Sequence, residues 1–438
     1  MTTVFDKYMH AVDDLDTVVY EGTVTKSVGL LVESRGPKAG VGELCRIQVP
    51  EKEDVFAEVV GFKNGTALLF PYDHESGIKS GLTVVATGRP LSAPVGRSVL
   101  GRVIDPVGKP LDGRGPVYYD AEYPVFSPPP HVLKRRRITE PLGTGVKAID
   151  GPLTIGKGQR IGIFSGSGIG KSILLGMIAK NTEADVNVIA LIGERGREVR
   201  EFIERELGGE ALKRSVVVVA TSDQSPIMRI RGAYLATAIA EYFRDRGDDV
   251  LFMMDSITRF AHAQREIGLA VGEPPATKGY TPSVFAILPR LLERSGMAEK
   301  GSITGIYAVL VEADDVNEPV SDAVRGILDG HIVLSRKLAQ RNHYPAIDVL
   351  QSISRLTPYI TSEAHKGGIN RLKEVLAYYG EAEDLIQIGA YVEGSDPSVD
   401  WARKHIGAVN GFLRQDMNEG FSYADIEEEL LSLFAEEE

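Results

Sequence analysis

Between residues 18 and 87 the chain repeats one texture. Short apolar, β-rich runs at 30–33, 44–49, 55–62, 67–70 and 82–86 are separated by Gly, Pro, Asn and Lys. Short strands at regular spacing with turn residues between them predict a small β-barrel. After Pro152 the pattern changes: strands are expected at 160–164, 187–192, 215–220, 250–254 and 306–311, alternating with helical stretches. That alternation predicts a parallel sheet covered by helices on both faces. From about Ile360 the strands cease and helical periodicity continues to the end. Ser422-Tyr423-Ala424-Asp425 has the form of a capping box opening a last helix, with Ile426, Leu430, Leu431 and Phe434 along one side. At the other terminus Val4, Phe5, Tyr8, Met9 and Val12 recur at helical spacing. This is a short amphipathic helix able either to pack on its own domain or to dock a partner. The expected organisation is therefore a helix at 1–17, a barrel at 18–90, an α/β domain at 91–360 and a helical domain at 361–438.

Composition narrows the classes. The 438 residues are 43% hydrophobic and 25% charged, as in a globular chain long enough for a large core. The net charge of −12 argues against a dedicated nucleic-acid binder and against binding a membrane surface through bulk charge. Cys45 is the lone cysteine, which excludes an intrachain disulfide and suits a reducing compartment. Neither a signal-peptide core nor an apolar run of about 18–20 residues is present, so a cytoplasmic chain without a membrane span is expected. Ser127-Pro128-Pro129-Pro130 reads as a stiff connector. The Lys134-Arg135-Arg136-Arg137 cluster after it reads as a solvated face rather than a nucleic-acid contact.

The chemistry concentrates after the strand at 160–164. Ser165-Gly166-Ser167-Gly168-Ile169-Gly170-Lys171-Ser172 follows that apolar strand and leads into the helical 173–179. A glycine-rich turn lets successive backbone N–H groups curl around phosphate oxygens at a helix start. In such a loop Gly166 to Ile173 would contact the nucleotide. Lys171 would reach the β and γ phosphates, and the Ser172 hydroxyl would ligate Mg²⁺. Serine at position 165 departs from the usual glycine but is small enough to keep the turn. Hydrolysis also needs a metal-holding carboxylate and a group to orient water. The strand at 250–254 runs into Asp255, a Walker-B placement for holding Mg²⁺ through water. The strand at 187–192 ends in Gly193-Glu194. That strand is expected beside the nucleotide strand, which puts Glu194 where open α/β sheets place ligands, as the candidate water-activating base.

These segments resemble the hexameric rotary ATPase family, which includes the ATP synthase alpha and beta subunits, and within it the flagellar and type III secretion export ATPases. The likeness spans about residues 22–415. It rests on Gly101-Arg102-Val103-Ile104-Asp105, the phosphate loop, Gly193-Glu194-Arg195-Gly196-Arg197-Glu198, and Asp255-Ser256-Ile257-Thr258-Arg259-Phe260. Further blocks are Gly272-Glu273-Pro274-Pro275, Gly279-Tyr280-Thr281-Pro282, Asp329-Gly330-His331-Ile332, His343-Tyr344-Pro345 and Ser352-Ile353-Ser354-Arg355. The resemblance implies a RecA-like P-loop core between a β-barrel and a helical C-terminal domain. It makes Glu194 the catalytic carboxylate with Arg195 as polar companion, and sets Arg259 near the phosphates. Tyr344 would pack on adenine, and Arg355 would be an arginine finger offered to the neighbouring subunit. Lys278 stands where the family usually has arginine, keeping the charge but losing the planar fork.

ATP synthase rings divide the carboxylate and the finger between two subunit types, whereas here both lie in one chain. The resemblance thus implies a homohexameric, Mg²⁺-dependent ATPase energising protein export, at the cytoplasmic side of a membrane-embedded apparatus. Its implied partners are a stalk-like regulator at the N-terminal helix, export chaperones with their substrates at the C-terminal helices, and the export-gate complex. Flagellar and injectisome apparatus both remain open, with a lean to the flagellum. Rival readings are an RNA-translocating ring motor, a rotary synthase subunit and a nucleotide-binding scaffold without turnover. The barrel region is not notably basic, which disfavours the first. Lys171, Asp255 and Glu194 in one chain disfavour the last.

Overall fold

The computed structural model describes residues 19–73, 77–311 and 318–435. The expected N-terminal helix lies outside the described residues.

The barrel is built from β1 (Glu21–Val28), β2 (Leu31–Arg35), β3 (Glu43–Ile47), β4 (Val55–Lys63), β5 (Thr66–Pro71) and β6 (Thr83–Pro90). These close in the order β1-β2-β5-β4-β3-β6, with antiparallel pairing. Alternation sets the inside: Cys45 and Ile47 of β3 are buried and Arg46 between them is exposed. With Val24, Val32, Ala57, Val59, Leu69 and Val84 they fill the interior. Asn64 and Gly65, both at positive φ (50° and 76°), make the tight turn between β4 and β5 that right-twisted strands favour. β1 was not legible in sequence because Val24 is its one fully buried residue and the rest is polar or half-exposed.

Residues 92–438 form a separate compact unit. Its strands are β7 (Ser92–Val95), β8 (Val103–Ile104), β9 (Ala121–Pro124), β10 (Arg160–Ser165), β11 (Val186–Glu194), β12 (Ser215–Thr221) and β13 (Asp249–Asp255). They continue with β14 (Gly296–Met297), β15 (Ser302–Leu310), β16 (Gly330–Leu334) and β17 (Ile347–Ser354). The main sheet runs β17-β16-β10-β15-β13-β11-β12-β8, parallel from β16 to β8. β17 is antiparallel to β16 and forms one edge, and neither was among the expected strands. β11 is buried from Val186 to Gly193, as expected for a strand covered on both faces. Helix Pro226–Asp245, buried from residue 226 to 244, packs against it.

Helices Glu363–Gln387, Pro397–Leu413 and Tyr423–Ser432 follow the sheet. Their apolar faces (Leu372, Val375, Val409, Phe412, Ile426, Leu430) join one core with Val146, Ile149, Leu153 and Ile155 of the segment before β10. The capping box forms as read: Ser422 Oγ accepts the Asp425 N–H at 3.2 Å, and the Ser422 N–H reaches the Asp425 carboxylate at 3.3 Å.

Candidate nucleotide site

β10 delivers the glycine loop at the carboxyl end of the parallel sheet. Gly168 and Gly170 take φ of 76° and 92°, the left-handed region that glycine enters without a Cβ clash. Gly170 caps helix Lys171–Asn181, so the loop and the first helical N–H groups form one concave donor surface. Ser165 fits where glycine was the pattern. It is buried as the last residue of β10 and pairs with Leu310, and its hydroxyl has no hydrogen-bond partner among the described residues.

Three charges converge beside the loop. The Lys171 ammonium is ion-paired with Asp255, at the end of β13, and lies 3.8 Å from a Glu194 oxygen at the end of β11. Asp255 is only 4% exposed. Burial, then the Asp255 charge, pushes the Glu194 carboxyl up to about 7, while Lys171 pulls it down. The expectation that β11 lies beside the nucleotide strand is corrected: β15 and β13 stand between β10 and β11. Glu194 still reaches the site because neighbouring parallel strands all end on this side, and twist brings their ends toward the loop.

The other candidates are distributed unevenly. Arg259 is exposed near the start of helix Ile257–Val271, and its stem crosses Gly193, where an added Cβ would come within 2.7 Å of the Arg259 Cβ. Glycine before Glu194 is thus needed for that close approach. Arg195 points away from the cluster, its side chain 78% exposed and 3.5 Å from Glu198. Ser172 and Ile173 sit exposed in the first turn after the loop. The Tyr344 ring lies 3.6–3.7 Å from where a Gly170 Cβ would be. It lines a largely apolar cavity of about 230 Å³ with Ile173, Met177, Pro345 and Met417. Sequence reading missed Gln415, Asp416 and Met417 of this wall, because a loop after a C-terminal helix carries no local sign of facing residue 170.

Arg355 lies elsewhere. Its N–H donates to the Asp329 carbonyl, and the Asp329 N–H donates to Arg160, the first residue of β10. The phosphate loop follows the last residue of β10, about 17 Å away at roughly 3.3 Å per residue. An arginine side chain cannot span that distance, so the exposed Arg355 does not serve its own chain's loop.

The residues fit Mg²⁺ in one respect. Two carboxylates already share a cation, Lys171, and the next residue, Ser172, carries a hydroxyl, all of them hard-oxygen donors. Among the described residues no group of three or more His, Cys, Asp or Glu side chains could hold a metal by itself. Mg²⁺ bound through one or two protein oxygens plus phosphate and water has no need of such a group. In the basic cluster, Arg135 donates to the carbonyls of Glu293 and Ser295, and Arg136 to that of Ala298 at 3.2 Å. Those two guanidiniums are committed to backbone rather than held out as a nucleic-acid surface.

Comparison with known proteins agrees with this geometry. The family model of the ATP synthase alpha/beta nucleotide-binding domain matches residues 145–354, and that of the alpha/beta beta-barrel domain residues 24–88. The model of the EscN-type type III secretion ATPase C-terminal domain matches residues 361–432. A flagellum-specific ATP synthase of Treponema pallidum is 54% identical over 96% of this chain and 94% of its own length. A type 3 secretion system ATPase of Xanthomonas euvesicatoria is 51% identical over 94% of this chain and 93% of its own. The assembled ATPase EscN of enteropathogenic E. coli, solved with its central stalk EscO, superposes with a TM-score of 0.87. It is 44% identical and covers 94% of this chain and 99% of that one. The chain belongs to the ATP synthase alpha/beta family, in its branch of flagellum-specific ATP synthases and type 3 secretion ATPases, and is an ATPase of that branch.

Proposed function

We propose that this ATPase cleaves ATP at seams between identical copies in a homohexameric ring, and that the ring energises protein export through a flagellar or type III secretion apparatus. One observation carries the reading. The Lys171, Glu194 and Asp255 cluster and Arg355 occupy opposite ends of the same sheet in one chain, so each copy has both halves of a site but not one whole site.

In this reading backbone N–H groups of residues 166–173 hold the phosphates. Lys171 exchanges its ion pair with Asp255 for the β and γ phosphate oxygens. Ser172 and, through water, Asp255 would hold Mg²⁺, which would supply charge neutralisation at the phosphates. Glu194 orients the attacking water and accepts its proton as the new P–O bond forms and the bond to ADP breaks. Arg259 backs the phosphate side, with Arg195 the polar companion that turns inward when a neighbour closes on the site. Tyr344 packs on adenine in the apolar cavity. Arg355 of the next copy meets the charge developing on the transferred phosphoryl group. The stalk complex of EscN supports a stalk-like regulator here, assigned to residues 1–17. Export chaperones and substrates are assigned to the C-terminal helices, and the export gate to the ring's membrane side. Among the described residues no helix is long and apolar enough to cross a membrane, so partners would hold the ring there.

Mixing two inactive variants, Glu194→Gln and Arg355→Ala, tests the seam. Some interfaces then pair an intact Glu194 with an intact Arg355, and ATPase activity is expected to return. Mixed rings that assemble and remain inactive would refute the shared site.

A further inference from the structure

Gln159 is the residue immediately before β10, fully buried at 0% exposure. Buried amides persist where their polar atoms are bonded. Here the bonding is directional. The side-chain oxygen accepts the Gly156 N–H at 2.8 Å, inside its own turn. The side-chain nitrogen donates to the Ser354 hydroxyl at 3.0 Å, directly before Arg355, and to the Asp329 carbonyl at 3.3 Å, just before β16. The same Asp329 carbonyl accepts the Arg355 N–H at 3.1 Å. The Ser354 hydroxyl itself donates a hydrogen bond to the Thr154 carbonyl at 2.9 Å. Arg160, next to Gln159, grips the Asp329 carboxylate through three N–H groups at 3.0–3.1 Å.

Two of the supports around Arg355, the Asp329 carbonyl and the Ser354 hydroxyl, thus bond to Gln159, the residue before the strand whose last residue opens the phosphate loop. β10 is hydrogen-bonded to β15 along its whole length and to β16 at residues 162–164, and Ile161 to Ser165 are buried. A shift of the loop in one copy therefore moves Gln159, and with it the base of the guanidinium presented to the next copy.

We propose that Gln159 is a positioning residue for Arg355, tying the finger offered to a neighbouring copy to the strand that carries this copy's own phosphate loop. The proposal rests on the shared-site reading above. It adds the link between successive sites: the occupancy of one loop is transmitted along β10 to the finger of the adjoining site.

The mixed ring separates this role from a merely structural one. In a ring of Glu194→Gln and Arg355→Ala chains, each active seam takes its finger from the first chain and its loop from the second. Gln159→Leu is added to one chain at a time, with ring assembly verified. On the finger-donating chain the recovered kcat is expected to fall about tenfold to a hundredfold, the scale of an ångström-sized misplacement. On the loop-donating chain the loss is expected to stay under about threefold, since the same principle ties large losses to displaced reacting groups. Equal losses in both arrangements, a larger loss on the loop donor, or no loss in either would overturn the proposal. If Gln159→Leu prevents folding, Ser354→Ala, which removes one hydroxyl, is run in the same two arrangements and read identically. Failure of the parent mixture to recover activity would instead remove the shared-site reading itself, and this role with it.

Discussion

The two ends of the parallel sheet differ in what they do with charge. At the carboxyl end Lys171, Glu194 and Asp255 are drawn together in a partly buried cluster, and the glutamate is held near neutrality by its surroundings. At the amino end Arg160, Asp329 and Glu293 neutralise one another, leaving Arg355 exposed beside them. The first end is a site prepared for a polyanion. The second is a scaffold that holds a cation outward. The length of β10 keeps that cation from its own chain's cluster.

That contrast can be broken most forcefully at Arg355. Replacing it with alanine is expected to lower turnover about 10³–10⁵-fold, the contribution of a finger in trans, while equilibrium ATP binding changes far less. A proportionate loss of ATP binding would make Arg355 an ordinary structural residue. Activity per subunit should likewise rise with protein concentration, because a monomer holds no complete site. At the opposite end Glu194→Gln is expected to cost about 10²–10⁴ in kcat with ATP still bound, measured by steady-state hydrolysis beside nucleotide titration. Tyr344→Ala sharpens the boundary of the cluster. Loss of base stacking worth about 1–3 kcal/mol is expected to raise KM by roughly fivefold to 150-fold and to leave kcat little changed. The smallest effect is in pH. With the Glu194 carboxyl near 7, kcat/KM should fall progressively as pH drops below about 7, because the base must be ionised. The stability term has the opposite sense. A folded pKa raised above the unfolded one stabilises the fold at pH below the ordinary carboxylate range, and that contribution is lost as pH rises through about 7. A profile with no inflection near neutrality would remove Glu194 as the base.

Local patterns carried much of this. The glycine loop was readable because strand, turn and helix chemistry are contiguous there. Asp255 was readable because an apolar strand ended in a carboxylate. β1 was hidden by its polar outer face, and β16 and the edge strand β17 escaped because their burial alternates without a continuous apolar run. Glu194 was expected on the strand next to β10, but two strands intervene. Strand order is set by which faces pack and which crossovers fit, and no residue in β11 records its neighbours.

The amino-acid sequence by itself determined the local parts: a glycine-rich turn between a strand and a helix, an aspartate closing one apolar strand and a glutamate closing another. These follow from backbone freedom at glycine and from side-chain chemistry, which are local properties. Only the tertiary structure decided that Glu194 and Lys171 meet while Arg355 stands at the far end of β10, its N–H bonded to Asp329 and its neighbour Ser354 bonded to Gln159. Distances between residues far apart in the chain depend on sheet order and register, which the packing of the whole core selects.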